Sequence, residues 1–168
     1  MRPKKSSRAA HVEEWGKLSV AERAAWINLL RVHRSVTDRL NSVLARNHGL
    51  TLAEWDALVH LAGAKEGIRM GDLAERILLS PSGMTRMIDR LEAKGLVERR
   101  TGKTDAREAL VGVTGGGLNL LAEAAPTHNR ALETHFLRVL TPAEVRRLAA
   151  LLTKVADSIE SAGGKEPR

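Results

Sequence analysis

Between Ser80 and Arg90 the chain sets hydroxyl, glycine and guanidinium groups on what reads as one face of a helix: Ser82, Gly83, Thr85 and Arg86, with Arg90 one turn on. Small, hydroxyl and guanidinium groups at a helix start suit a DNA major groove, where phosphates position a protein and base edges are read. Ser80 just before them, and Lys103 and Arg107 further along, extend the same chemistry. Nothing comparable points to catalysis. The six histidines (His11, His33, His48, His60, His128, His135) are scattered, without an HExxH pattern or a cysteine at ligand spacing. His128 and His135 lie two turns apart, but a structural role outweighs a metal site for such a pair. Gly115-Gly116-Gly117 has the place of a phosphate cradle and lacks both the lysine and hydroxyl of a P-loop and the spacing of a dinucleotide fingerprint, so it reads as a flexible elbow. No enzyme activity, cofactor or metal is expected.

The elements that must hold these groups are well marked. Met70, Leu73, Ala74 and Ile77 share one apolar face, and after a short break Met84, Met87, Ile88 and Leu91 share another, so two short helices pack on each other. Ser80 can cap the second helix, Pro81 suits its first position, and Gly95 supplies the left-handed residue that ends it. The first helix of the pair is poorly capped, with Met70-Gly71 where a hydroxyl would serve. Residues 96–100 and 108–113 read as strands joined by the polar, turn-rich residues 101–107. A hairpin after a helix-turn-helix is the layout of a winged helix, whose tip would bring Lys103 and Arg107 to the backbone or the minor groove.

Longer helices flank this module. Ser19-x-x-Glu22 is a capping box opening an apolar stripe through Trp26, Leu29, Leu30, Val36, Leu40 and Leu44, stopped by Asn47-His48-Gly49. A second box, Thr51-x-x-Glu54, opens a helix with Trp55, Leu58, Val59 and Ala62 on its apolar side, ending near Gly63 or Gly67. After the hairpin, Leu118 to Val139 carry a helical stripe that Pro126 should kink or break. Thr141-Pro142-Ala143-Glu144 then caps a last helix whose stripe is Val145, Leu148, Leu152, Val155 and Ile159. The stripes of the first and last helices have no partner in the winged helix, which predicts an obligate homodimer with two reading helices facing a palindromic duplex.

The residues LxxSPSGMTRMIDRLEAKGLVERR, the pair Asp105-x-Arg107 and Thr114 after a valine-rich strand resemble the multiple-antibiotic-resistance-regulator (MarR) family of winged-helix transcription factors. The resemblance runs in layout from Leu18 to Ser161. The chain departs from it at Thr114-Gly115-Gly116-Gly117, where the glycines weaken the following helix. The resemblance implies a dimeric, sequence-specific DNA-binding regulator, a repressor released by a small ligand. A narrower similarity, to the urate-responsive branch, rests on Trp15, Asp56 after Trp55, Arg86 and Arg99. It implies that urate or a related anionic purine binds these four residues, with Asp56 near Arg86 or Arg99. The plainer reading of Arg86 and Arg99 is DNA contact, and of Trp26 a place in the core.

Charge supports a polyanionic partner. The net charge is +7, and it is concentrated in the arm Arg2, Lys4, Lys5 and Arg8 and in residues 86–107, where seven basic residues meet four acidic ones. Without cysteine there is no disulfide, thiolate zinc site or thiol oxidation sensor, which fits a cytoplasmic protein. No apolar run approaches a membrane span.

The expected fold is therefore mainly α: residues 1–17 as a basic tail with room for an extra helix, 18–49 a dimerisation helix, 50–114 a winged helix-turn-helix, 115–161 further dimerisation helices and 162–168 a tail. DNA contacts are expected from Ser80, Ser82, Gly83, Thr85, Arg86, Arg90, Lys103 and Arg107. The alternative is a winged helix whose basic surface binds an acidic protein partner.

Overall fold

A computed structural model describes residues 15–101 and 109–163, so Lys103, Asp105 and Arg107 and the basic arm lie outside the described residues. The chain divides into two compact units between Asp38 and Arg39, a boundary inside the first long helix. That helix, α1 (Val20–His48), runs 29 residues, about 43 Å at the α-helical rise. Its start is the expected capping box: the Ser19 amide donates to Glu22 Oε2 at 2.7 Å and the Glu22 amide to Ser19 Oγ at 3.2 Å. In the amino-terminal unit its apolar side chains remain open, and Trp26, expected in the core, is half exposed along with Leu29 and Leu30. Among the described residues of that unit, no apolar surface covers the stripe.

The second unit holds the core. The end of α1 contributes Leu40 and Leu44. Then α2 (Leu52–Ala62) begins with the second capping box, completed by Thr51 and Glu54, and stops at Gly63. A two-residue strand, β1 (Ile68–Arg69), leads directly into α3 (Met70–Arg76), whose amino terminus has no side-chain cap. Beyond the turn, α4 (Pro81–Ala93) is capped by Ser80, with the Gly83 amide donating to Ser80 Oγ at 3.2 Å. Gly95, at φ +70°, turns the chain out of α4. The strands β2 (Val97–Thr101) and β3 (Ala109–Val113) pair antiparallel, Val97 opposite Val113 and Arg99 opposite Val111. β1 joins the far edge of β3, giving the order β1-β3-β2. Too short to show a period, β1 left no strand signal in the sequence.

The expected elbow at the three glycines is absent. Thr114 caps α5 (Gly115–Leu132) by accepting from the Gly117 amide at 3.1 Å, and the glycines form the first helical turn. A side chain at Gly117 would place its Cβ 2.2 Å from the Leu96 carbonyl oxygen and 2.7 Å from Val113 Cγ2. Close approach of the helix to the sheet demands the glycine there. Pro126 does not break α5 either. The irregularity comes later, as a π-helical turn at Glu133–Leu137 in which the Arg138 amide donates to the Glu133 carbonyl at 2.8 Å. A third capping box, Thr141 with Glu144, opens α6 (Pro142–Gly163), and none of its described side chains is buried.

Leu58, Leu61, Leu73, Met84, Met87, Ile88, Leu91, Val97 and Val111 form the centre of the core, with Trp55 and Ala124 at its edge. Both helices of the pair are thereby anchored by the faces their spacing predicted. Among the described residues no helix is long and apolar enough to cross a membrane.

Candidate nucleic-acid interface

With Met84, Met87, Ile88 and Leu91 buried, the opposite side of α4 is open, and it carries Ser82, Thr85 and Arg86 exposed and Gly83 half-buried. The first turn is internally ordered. Thr85 Oγ1 donates to the Pro81 carbonyl at 3.1 Å, Arg86 Nε donates to the Ser82 carbonyl at 3.3 Å, and the Ser80 and Ser82 hydroxyls lie 3.4 Å apart. These bonds hold short polar groups and one guanidinium along a helix edge with water on the other side, an arrangement that a groove of base edges can meet.

Arg90 is exposed one turn beyond Arg86 and also has a protein partner. Its Nε donates to Glu54 Oε1 at 3.3 Å, and Glu54 is 2 % exposed. The guanidinium is engaged with Glu54 of α2 while its side chain stays more than half exposed. Arg99, on β2, is likewise engaged: it bonds Asp89 at 2.5 Å and also Glu92, both on α4, while its backbone amide donates to Glu92 Oε1 at 3.3 Å. The Asp89 bond, foremost, holds the Arg99 guanidinium protonated more firmly than an ordinary arginine.

Within the second unit, Asp56 of the urate resemblance does not have an arginine among its charged neighbours. Asp56 has His128 and His60 as its charged neighbours, not Arg86 or Arg99. Burial raises its carboxyl above the ordinary value of 3.8, and the two imidazoles offset this only in part. Next to it the Trp55 ring stacks on His128 with centroids 4.8 Å apart at 18°. Trp15 lies in the amino-terminal unit, where it is exposed and its carbonyl accepts from Arg23 at 3.5 Å. The physical reason is that Arg99 faces α4, where two carboxylates already satisfy it.

An open cleft of about 340 Å³ lies between the end of α1 and the junction of α5 with the π-helical turn. Asn47, Thr127, Arg130, Thr134 and His135 give it its polar lining. Sequence spacing missed this cleft, as it missed the second role of Glu54. A glutamate in a capping box is expected to bond its own amino terminus, and nothing in the spacing shows where its other oxygen turns.

The MarR family profile matches residues 48–108, the stretch that holds α2, the helix pair and β2. The regulator MhqR of Bacillus subtilis is 30 % identical over 130 residues, 77 % of this chain and 88 % of that one. The chain belongs to the MarR family. Two solved MarR-type structures share its fold. Sco3205 of Streptomyces coelicolor, a MarR family regulator solved in complex with DNA, has a TM-score of 0.78 at 26 % identity over 84 % of this chain and 93 % of that one. CouR of Rhodococcus jostii RHA1, solved bound to p-coumaroyl-CoA, has a TM-score of 0.73 at 25 % identity over 83 % of this chain and 96 % of that one. MarR membership identifies α3 and α4 as the helix-turn-helix, with α4 the second helix of the pair.

Proposed function

We propose that this protein is a homodimeric, sequence-specific DNA-binding transcription repressor that a small anionic ligand releases from its operator. The observation that carries the reading is the exposed edge of α4, with Ser82, Thr85 and Arg86 set opposite four buried apolar side chains. Ser80 and Gly83 start the same edge, and Lys103 and Arg107 follow between β2 and β3 in sequence. Two such edges related by a dyad read inverted half-sites about one helical turn apart, which requires two copies. The open apolar stripes on α1 and α6 supply surface for that pairing.

Support for a ligand is the cleft beside Arg130 and His135, with a cation and several donors to receive a carboxylate or enolate. Urate remains one member of that class, to be tried alongside aromatic acids. Selection from random duplex should return an inverted repeat. On that repeat Arg86→Ala weakens binding by about 1–3 kcal/mol if the guanidinium meets a base, read by fluorescence anisotropy at fixed salt. Salt-sensitive binding without any preferred sequence would instead favour the acidic-protein reading. A titration with urate and aromatic acids that leaves operator affinity unchanged removes the ligand from the proposal.

A further inference from the structure

We infer that Arg90 and Glu54 form a positioning tie that sets the pose of α4 on DNA, with Arg90 acting through Glu54 rather than on the duplex. This rests on the reading of α4 as the DNA-reading helix. Glu54 is the one buried charged side chain among the described residues, at 2 % exposure. Its Oε2 accepts from the Thr51 amide at 2.8 Å, closing the capping box, and its Oε1 accepts from Arg90 Nε at 3.3 Å. One carboxylate therefore joins the amino terminus of α2 to the last turn of α4.

A carboxylate withdrawn from water is tolerable only when both oxygens are paired. The two partners here stand on different elements, so the pair is complete in one relative setting of α2 and α4 and broken by a small rotation of either. Arg90 follows Arg86 by one turn, so fixing Arg90 fixes the direction in which the Arg86 edge faces. On the other flank Asp89 and Glu92 bond Arg99 of β2. The reading helix is thus held from the α2 side by an exposed guanidinium on a buried carboxylate and from the hairpin side by a surface ion pair. Base readout depends on placement to a fraction of an ångström, which is what such a tie supplies.

The test uses the intact protein, a selected operator and a scrambled duplex of the same length. Glu54→Gln keeps one carbonyl oxygen for the Thr51 amide and turns its NH₂ toward Arg90. The tie predicts that operator affinity falls about tenfold while affinity for the scrambled duplex, and its salt slope, hold. Arg90→Lys, which lacks Nε, should move the same way by less, and Glu54→Gln with Arg90→Gln should be no weaker than the worse single variant. Direct contact predicts the reverse. Arg90→Gln would then weaken both duplexes and lower the salt slope by about one, while Glu54→Gln, releasing the guanidinium, would leave operator affinity equal or tighter, and that pattern overturns the inference. If the wild-type protein shows no preference for any duplex, the DNA reading fails and hydrogen exchange still decides the tie. Faster exchange confined to the α4 amides in Glu54→Gln supports it, and unchanged exchange rejects it.

Discussion

Asp56 stands half-buried between two imidazoles, and burial is the larger influence on its carboxyl. A carboxyl raised in the folded state contributes stability below its unfolded pKa and loses that contribution as pH rises through the folded value. At neutral pH the ionised group is therefore a liability. Asp56→Asn should raise the melting temperature at pH 7, and the advantage should shrink as acidification protonates the wild-type carboxyl. Melting curves from neutral to acidic pH check it, and an advantage that grows on acidification would contradict the assignment. Leu78 shows the limit of reading single residues. It sits in the turn between α3 and α4 at φ +56° and 90 % exposed, a conformation and an exposure that leucine does not signal. The Leu79 amide, donating to the Ala74 carbonyl at 2.9 Å, closes the helix end around it.

Helix starts were legible because they are local. Ser19 with Glu22, Thr51 with Glu54 and Thr141 with Glu144 each form the reciprocal bonds their spacing implies, and Ser80 caps as expected. Elements held by distant backbone were not. The strand β1 exists because β3 offers it an edge, and the glycine turn of α5 packs closely against the Leu96 carbonyl. Gly117→Ala should therefore cost about 1–3 kcal/mol, the range for forcing atoms into a packed site, whereas the same change at Gly115, with open space around it, should cost little or stabilise α5. Urea titration of the two variants checks this, and equal effects would restore the elbow. The same distinction explains the candidate site. The exposed edge of α4 followed from periodicity, but the partner of Arg90 lies 36 residues away on α2, and Arg99 turns back across the α4–β2 turn to Asp89 and Glu92, contacts that helical spacing does not show.

The two compact units share a deficiency: each keeps apolar stripes open to water. Leu29 and Leu30 on α1 and Leu151, Leu152 and Val155 on α6 are all exposed. Exposed stripes of this kind mark contact surfaces. Leu152→Glu or Leu30→Glu should shift the protein to monomer in sedimentation equilibrium and abolish operator binding while a single copy keeps its α2 to β3 core. A dimer that survives both substitutions places the contact elsewhere. The absence of any buried described side chain in α6 has a further bearing. An isolated helix of 22 residues is only marginally stable in water, so its order must come from whatever covers it. If a second copy is the cover, dilution acts on α6 as a denaturant would, and the quantity of protein in the cell governs the folding of that helix as well as the occupancy of its sites.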